Sequence, residues 1–291
     1  MKHLLCTILL GWSFHLASAQ DSKLRIIMIG AHPDDCDIKS GGTAALFAEM
    51  GHAVKFISVT NGDAGHMEQG GGALAKRRRA EAEEAGRRLG LTYEVMDNHD
   101  GELLPSLDVR LDLIRRIRAW KADVVISHRP VDYHPDHRYT GILVQDAAFM
   151  VMVPNIAADT PPLTKNPVFL YFQDHFTKPT RFQPDVCVDI TPVIDKKTDA
   201  LDAHESQFYE WLPWISGYKG KIPAGKQERK AWIKQNRWPS LDSTLRAGLG
   251  KWYSPAQAEA AHYAEAFELC EYGARPTEKE IRQLFPMLGT E

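Results

Sequence analysis

The sequence predicts an α/β fold, a mainly parallel sheet with helices on both faces. Two observations carry this. Apolar runs alternate with helical patterns through the first two-thirds of the 291 residues, the arrangement of successive βαβ units. The first run is apolar throughout rather than alternating, as in strands covered on both faces. With 44% hydrophobic residues, the chain can bury a substantial core as one large domain or one domain with an appendage.

Taken in order, Leu24 to Gly30 reads as a buried strand, followed by a helix from about Gly42 to Met50 and a strand from Val54 to Thr60. A helix from Leu74 to Leu89, a strand from Thr92 to Met96 and a helix from Leu107 to Trp120 continue the alternation. A strand from Ala122 to Ser127 and a helix from about Tyr139 to Met150 follow. Val168 to Phe172 and Val186 to Ile190 read as further strands, and Val193 to Gln207 as another helix. The alternation is Rossmann-like, but the first glycine-rich turn lacks the G-x-G-x-x-G order of a dinucleotide site.

After Phe208 the composition changes: Trp211, Trp214, Trp232, Trp238 and Trp252 fall here, and lysines, glycines and prolines are interspersed from Tyr218 to Lys230. A long irregular segment is expected, closed by two helices. Ser254-Pro255 is a cap with a first-turn proline and Gly273 the stop, while Thr277 and Glu280 have capping-box spacing. The expected organisation is a signal peptide at 1–19, a catalytic domain at 20–207 and a Trp-rich, partly helical extension at 208–291 packed on it.

Lys2, the apolar stretch Leu4 to Leu16 and the small residues Ala17-Ser18-Ala19 have the layout of a secretory signal cleaved before Gln20. The expectation is export to a periplasm or the exterior. No stretch is apolar for the length a membrane span needs. Loss of Lys2 moves the formal charge from -3 to -4, which argues against nucleic-acid binding. Cys36, Cys187 and Cys270 remain widely separated; one disulfide is permitted, but small buried hydrophobes are the better reading. Oligomeric state cannot be read.

The chemistry concentrates at two strand ends. Ala31-His32-Pro33-Asp34-Asp35 follows the first strand, and Asp132-Tyr133-His134-Pro135-Asp136-His137-Arg138 lies just beyond the strand ending at Ser127. Open α/β sheets place ligands at such carboxyl-terminal edges. Two imidazoles and a carboxylate can hold a catalytic metal with one position left open for water. Adjacent carboxylates point in roughly opposite directions, so one of Asp34 and Asp35 ligates while the other faces the water. Of His134 and His137, one lies near the metal and the other donates a proton to the oxyanion or leaving amine, with Asp136 fixing its tautomer. That proton-donor role calls for a protonated imidazole and an alkaline limb in kcat. The plainer reading, capped turns with Asp35 starting a helix, is weakened because both clusters follow strands and both are dense in ligand types. His99, His128 and His175 read as structural or merely near the site.

These residues resemble the PIG-L/LmbE family of zinc-dependent N-deacetylases. The resemblance rests on His32-Pro33-Asp34-Asp35 followed by Ser40-Gly41-Gly42-Thr43, and on His134-Pro135-Asp136-His137-Arg138. Thr60-Asn61-Gly62-Asp63-Ala64-Gly65, Arg78-x-x-Glu81, Asp100-Gly101 and Ala203-His204-Glu205-Ser206-Gln207 support it over roughly residues 24 to 207. It implies His32, Asp35 and His137 as ligands of one Zn²⁺, Asp34 as general base, and His134 as the oxyanion-stabilising group oriented by Asp136. Arg78 and Asp63 are implied as substrate contacts. Cys36 and Lys39-Ser40 depart from the usual pattern and leave the ligand set untouched.

The expected function is removal of acetyl from an N-acetylated amino sugar, N-acetylglucosamine or a conjugate of it. Two alternatives use the same residues: a non-haem iron oxygenase built on the His/Asp/His set, and a carbohydrate-binding protein without catalysis. The tryptophans could stack on sugar, although core packing accounts for most of them.

Overall fold

The structure, a computed structural model, describes residues 23–218, 220, 222–237 and 241–289. The expected signal peptide and Trp238 lie outside the described residues. The strands are β1 (Arg25–Gly30), β2 (Ala53–Thr60), β3 (Thr92–Asn98), β4 (Val124–Ser127), β5 (Val168–Phe172), β6 (Val186–Asp189) and β7 (Ala264–Leu269), in the order β3-β2-β1-β4-β5-β7-β6. β3 to β5 in that order pair in parallel, and β7 runs antiparallel to both its neighbours. The chain winds outward from β1 in both directions, so the crevice at the β1/β4 switch point opens at their carboxyl ends.

The uniform apolarity of β1 has a plain cause. Ile26 and Met28 enter one hydrophobic core and Ile27 and Ile29 the other, because helices cover both faces of the sheet. These helices are α1 (Asp35–Glu49), α2 (Gly71–Leu89), α3 (Leu107–Trp120), α4 (Pro135–Met150) and α5 (Ile194–Ala203).

Helix α1 begins seven residues before Gly42, where the sequence placed its start. Gly41-Gly42 looks like a breaker but sits mid-helix for close packing: a Cβ on Gly42 would lie 2.7 Å from the Ile190 side chain. The first acidic cluster is therefore the helix entry itself. The single helix expected from Val193 to Gln207 is also divided. α5 ends at Ala203, a π-helical turn spans Ser206–Trp211, and α6 (Leu212–Ile215) follows.

In the final third, α7 (Lys226–Arg237) begins within the stretch expected to be irregular, and α8 (Ser243–Trp252) follows. The helix expected from Ser254 to Gly273 is only α9 (Pro255–Ala260), opened by its capping box at Ser254 and Gln257, after which β7 inserts between β5 and β6. Pairing on both edges overrides a local sequence of mixed preference. Buried Glu265 of β7 accepts the Lys197 ammonium at 2.7 Å and the Gly42 and Thr43 amides at 2.9 and 2.7 Å, tying β7 to α5 and α1. The capping box at Thr277 and Glu280 starts α10 (Glu278–Leu284) as expected. Cys36, Cys187 and Cys270 are free and buried. Among the described residues no helix is long and apolar enough to cross a membrane.

Candidate active site

β1 and β4 pair up to Ile29 opposite Ser127, so the segments that follow them leave the sheet side by side. After β1 the chain turns sharply, with the Asp34 and Asp35 amides donating to the His32 carbonyl at 2.9 and 3.2 Å. The Asp35 carboxylate accepts the His32 amide at 2.7 Å, which folds it back to 3.4 Å from His32 Nδ1. From the other segment, His137 Nε2 lies 3.1 Å from His32 Nδ1 and 3.4 Å from an Asp35 oxygen. Ligands about 2.0–2.2 Å from a tetrahedral Zn²⁺ sit roughly 3.4 Å apart, so these three side chains have the spacing of a metal triad.

Electrostatics agree with the spacing. Burial would lower the His32 imidazole, but Asp100, Asp136 and Asp35 overcome it and hold the group well above its ordinary value. Burial would raise Asp35, yet the imidazoles of His137 and His128 take it well below the usual carboxylate range. The carboxylates of Asp35, Asp100 and Asp136 thus favour positive charge at this point. The donor set therefore fits a divalent metal.

The far nitrogens of both imidazoles face carboxylates: His32 Nε2 is 3.0 Å from Asp100, and His137 Nδ1 is 3.0 Å from Asp132. Such partners orient metal-bound histidines. Asp100→Asn and Asp132→Asn are each expected to weaken metal binding by about 10- to 100-fold while the fold persists, as measured by competition with a chromophoric chelator. Unchanged affinity in both would assign the carboxylates to packing alone.

Sequence reasoning left these two aspartates without a role and set His128 aside. His128 lies 3.2 Å from Asp35 and stacks on His137 with ring centroids 4.3 Å apart. Burial lowers it to about 4, so it is a neutral backing group. A signal for two of the three was available: Asp100 and His128 stand just beyond the carboxyl ends of β3 and β4, as His32 stands beyond β1.

Asp34 occupies the N-cap position of α1 but makes no side-chain cap bond. Its carboxylate is 3.3 Å from the Arg78 guanidinium and lines the site cavity. Burial raises its pKa and Arg78 partly offsets this. Arg78, itself buried, also reaches Asp100 at 3.6 Å and lines the same cavity.

His134 is both a cap and a cavity residue. Its Nδ1 accepts the Asp136 amide at 3.2 Å at the start of α4, which leaves the proton of the neutral ring on Nε2. Burial lowers its pKa. One expectation changes. The tautomer is set by the Asp136 backbone amide rather than by the Asp136 carboxylate, which instead accepts the Gly101 amide at 2.7 Å and lies 3.4 Å from His32 Nε2. A proton on Nδ1 would break this cap bond.

Asp63, an expected substrate contact, faces its own loop in this structure. Its oxygens accept His99 Nδ1 at 2.6 Å and the Asp100 amide at 3.0 Å, so it shapes the loop that presents Asp100. The Cys36 thiol points to the Ile57 carbonyl and does not line the cavity, and burial pushes it well up. His204 is fully buried with Nε2 3.2 Å from Asp37.

The cavity over these residues has a volume of about 360 Å³ and is closed on one side by Trp211, Leu212 and Ile215. A larger hollow of about 760 Å³ lies around Leu24, Asp123 and Val168, at the amino ends of the strands and away from the converged ligands.

Residues 27–148 match the family described as PIG-L: GlcNAc-PI de-N-acetylase. A diacetylchitobiose deacetylase of Thermococcus kodakarensis is 31% identical over 217 residues, 68% of this chain and 78% of the relative. The chain belongs to the PIG-L family. A 4-oxalmesaconate hydratase of Pseudomonas putida is 28% identical over 193 residues, 64% of this chain and 74% of that one. Among solved structures, the N,N'-diacetylchitobiose deacetylase of Pyrococcus horikoshii in complex with the inhibitor MPG superposes with a TM-score of 0.64 at 26% identity, over 89% of this chain and 88% of that one. As a PIG-L family member with a converged His/Asp/His set, the chain is a metal-dependent hydrolase, and its fold is the mainly parallel α/β architecture predicted from sequence.

Proposed function

We propose that this PIG-L family enzyme removes acetyl from an N-acetylated amino sugar, N-acetylglucosamine or a conjugate of it, using one Zn²⁺ held by His32, Asp35 and His137. The observation that carries the reading is the Asp34 carboxylate, unused as a helix cap and open to the cavity beside the triad. Two imidazoles and a carboxylate with a fourth position free suit zinc. A bound Zn²⁺ supplies a water of pKa about 7 and a Lewis acid for the amide carbonyl. Asp34 accepts the proton of the attacking water and returns it to the departing amine. Arg78 holds that carboxylate in place. His134 Nε2–H donates to the oxygen on which charge develops. The parallel sheet counts against the iron-oxygenase alternative, whose sites belong to β-barrels. Residues 1–19, with the layout of a cleavable signal, support action outside the cytoplasm.

Acetate release from N-acetylglucosamine and N,N'-diacetylchitobiose tests the reading: it should vanish with chelator and return with Zn²⁺. Hydration of 4-oxalmesaconate with no acetate from either sugar would place the chain with its hydratase relative instead.

His134→Ala should retain its zinc and lower kcat by about 100- to 1,000-fold, with a smaller change in KM. A neutral-ring donor loses no proton on the alkaline side, so His134→Ala should leave the shape of the pH profile unchanged. An alkaline limb present in the wild type and lost in the variant would make the imidazolium the donor.

A further inference from the structure

We propose that His204 is a positioning residue for the hydrolytic step: paired with Asp37, it fixes the first turn of α1 against the wall of the cavity and so keeps Asp34 aimed at the site. The inference rests on the deacetylase reading for its kinetic part, and it gives a role to two buried groups that the chemistry above leaves unused.

His204 and Asp37 are both fully buried, and His204 Nε2 lies 3.2 Å from a carboxylate oxygen of Asp37. Asp37 stands in the first turn of α1, where backbone amides are free, yet among the described residues no amide caps it. Its ionic partner comes instead from the residue that follows α5. Tyr93 closes the pocket around the pair, edge-on to the His204 ring with centroids 6.4 Å apart. Burial would lower the His204 imidazole, but Asp37, with Asp34 and Glu81 after it, raises it above its ordinary value. The two groups therefore form an ion pair in a dry interior, and Asp34 is near enough to act on it.

A buried ion pair is a poor stabiliser: an apolar pair of the same volume serves as well or better, whereas removing one partner strands a charge. What the ion pair provides is a fixed geometry, and its placement shows what is fixed. Asp34 precedes Asp37 by three residues, so the two side chains are neighbours on one face of the helix entry. The Asp34 carboxylate makes no cap bond of its own. Apart from Arg78 at 3.3 Å, its aim depends on where that first turn is held.

On its other side, His204 stands at the joint between α5 and the cavity wall. Its carbonyl accepts the Gln207 and Phe208 amides at 3.1 and 2.9 Å, which opens the π-helical turn leading to Trp211. Ser206 donates its amide and its hydroxyl to the Glu81 carboxylate at 3.0 and 2.5 Å, and Gln207 donates to the Gly65 carbonyl at 3.1 Å. The wall is thus tied to α2 and to the loop before it, and one imidazole couples that wall to the turn bearing Asp34. A reacting group needs such support, because its placement must hold to within about 0.5 Å.

The test uses His204→Gln, Asp37→Asn and the double variant, in which two amides restore an uncharged hydrogen-bonded pair. In each, a melting curve, zinc affinity by chelator competition, and kcat and KM for acetate release from N-acetylglucosamine or N,N'-diacetylchitobiose are measured. Each single variant should lose about tenfold or more in kcat with KM and zinc affinity changed less than about threefold, and the double variant should recover most of that loss. Packing alone would lower the melting temperature and leave kcat intact, which overturns the proposal. So would equal losses in all three variants, or a fall in zinc affinity as large as the fall in kcat. Should the single variants not fold, the double variant decides: kcat within about threefold of wild type supports the proposal, and a larger loss or failure to fold overturns it. If the wild type releases no acetate from either sugar, the deacetylase reading fails by itself. Calorimetric binding of acetohydroxamate to the zinc-loaded proteins then decides, because this chelator gives up a proton on binding and its affinity reports the placement of the carboxylate beside the metal. Binding weakened about tenfold in both single variants and regained in the double supports the positioning role, and unchanged binding removes it.

Discussion

Asp34→Asn is expected to keep its metal and to lose about 100-fold or more in kcat. The amide matches the carboxylate in size but cannot accept the proton of the attacking water. The metal triad is not touched, because His32, Asp35 and His137 make their mutual contacts without Asp34. Arg78 retains Asp100 as a partner at 3.6 Å, so the guanidinium is not left unpaired. The wild-type profile carries a further sign. Burial raises the Asp34 carboxyl, so the base form is lost as pH falls through a value above the ordinary carboxylate range, and kcat/KM should decline there. That acid limb should be absent from the residual rate of the variant. Elemental analysis, a melting curve and a pH profile check the three parts. Near-normal turnover at normal metal content would remove Asp34 from the base role.

His137→Ala should lose metal and activity together. It removes one of three protein bonds in the proposed zinc site and leaves Asp132 and Asp35 without their imidazole. Activity should fall below detection at substoichiometric zinc and recover little on adding more. Metal binding to the wild type should weaken as pH falls, because the raised His32 pKa lets a proton compete for the ligand nitrogen. Titration calorimetry in buffers of different ionisation heat should show protons released on zinc binding near neutral pH. Full, chelator-resistant zinc in His137→Ala would show that other residues hold the metal, with His128 beside Asp35 the first to examine.

Much of the fold could be read from the chain because its signals are local. β5 and α3 fall where the apolar pattern places them, and β1 differs by one residue. Errors arose where a distant contact outweighed the local signal. Gly41-Gly42 reads as a break until Ile190 and Lys197 are packed against it. Ala264 to Leu269, rich in alanine and glutamate, becomes a strand because β5 and β6 offer it hydrogen bonds on both edges.

At the site, the sequence by itself determined which chemistry is present: His32, Asp34, Asp35, His134 and His137 stand at two strand ends in densities that a turn does not need. Only the tertiary structure decided which group each side chain meets. Asp136 adjoins His134 by way of one residue, yet its carboxylate lies against Gly101 and His32. Asp63 turns away to hold the Asp100 loop, while Asp100, Asp132 and His128 close around the ligands. Trp211 reaches the cavity although it belongs to the segment after residue 207. The physical reason is one of range. Chain neighbours are related by local backbone geometry, which residue types encode directly. Contacts between side chains on different strands and helices depend on strand order, register and packing, which are properties of the closed sheet as a whole.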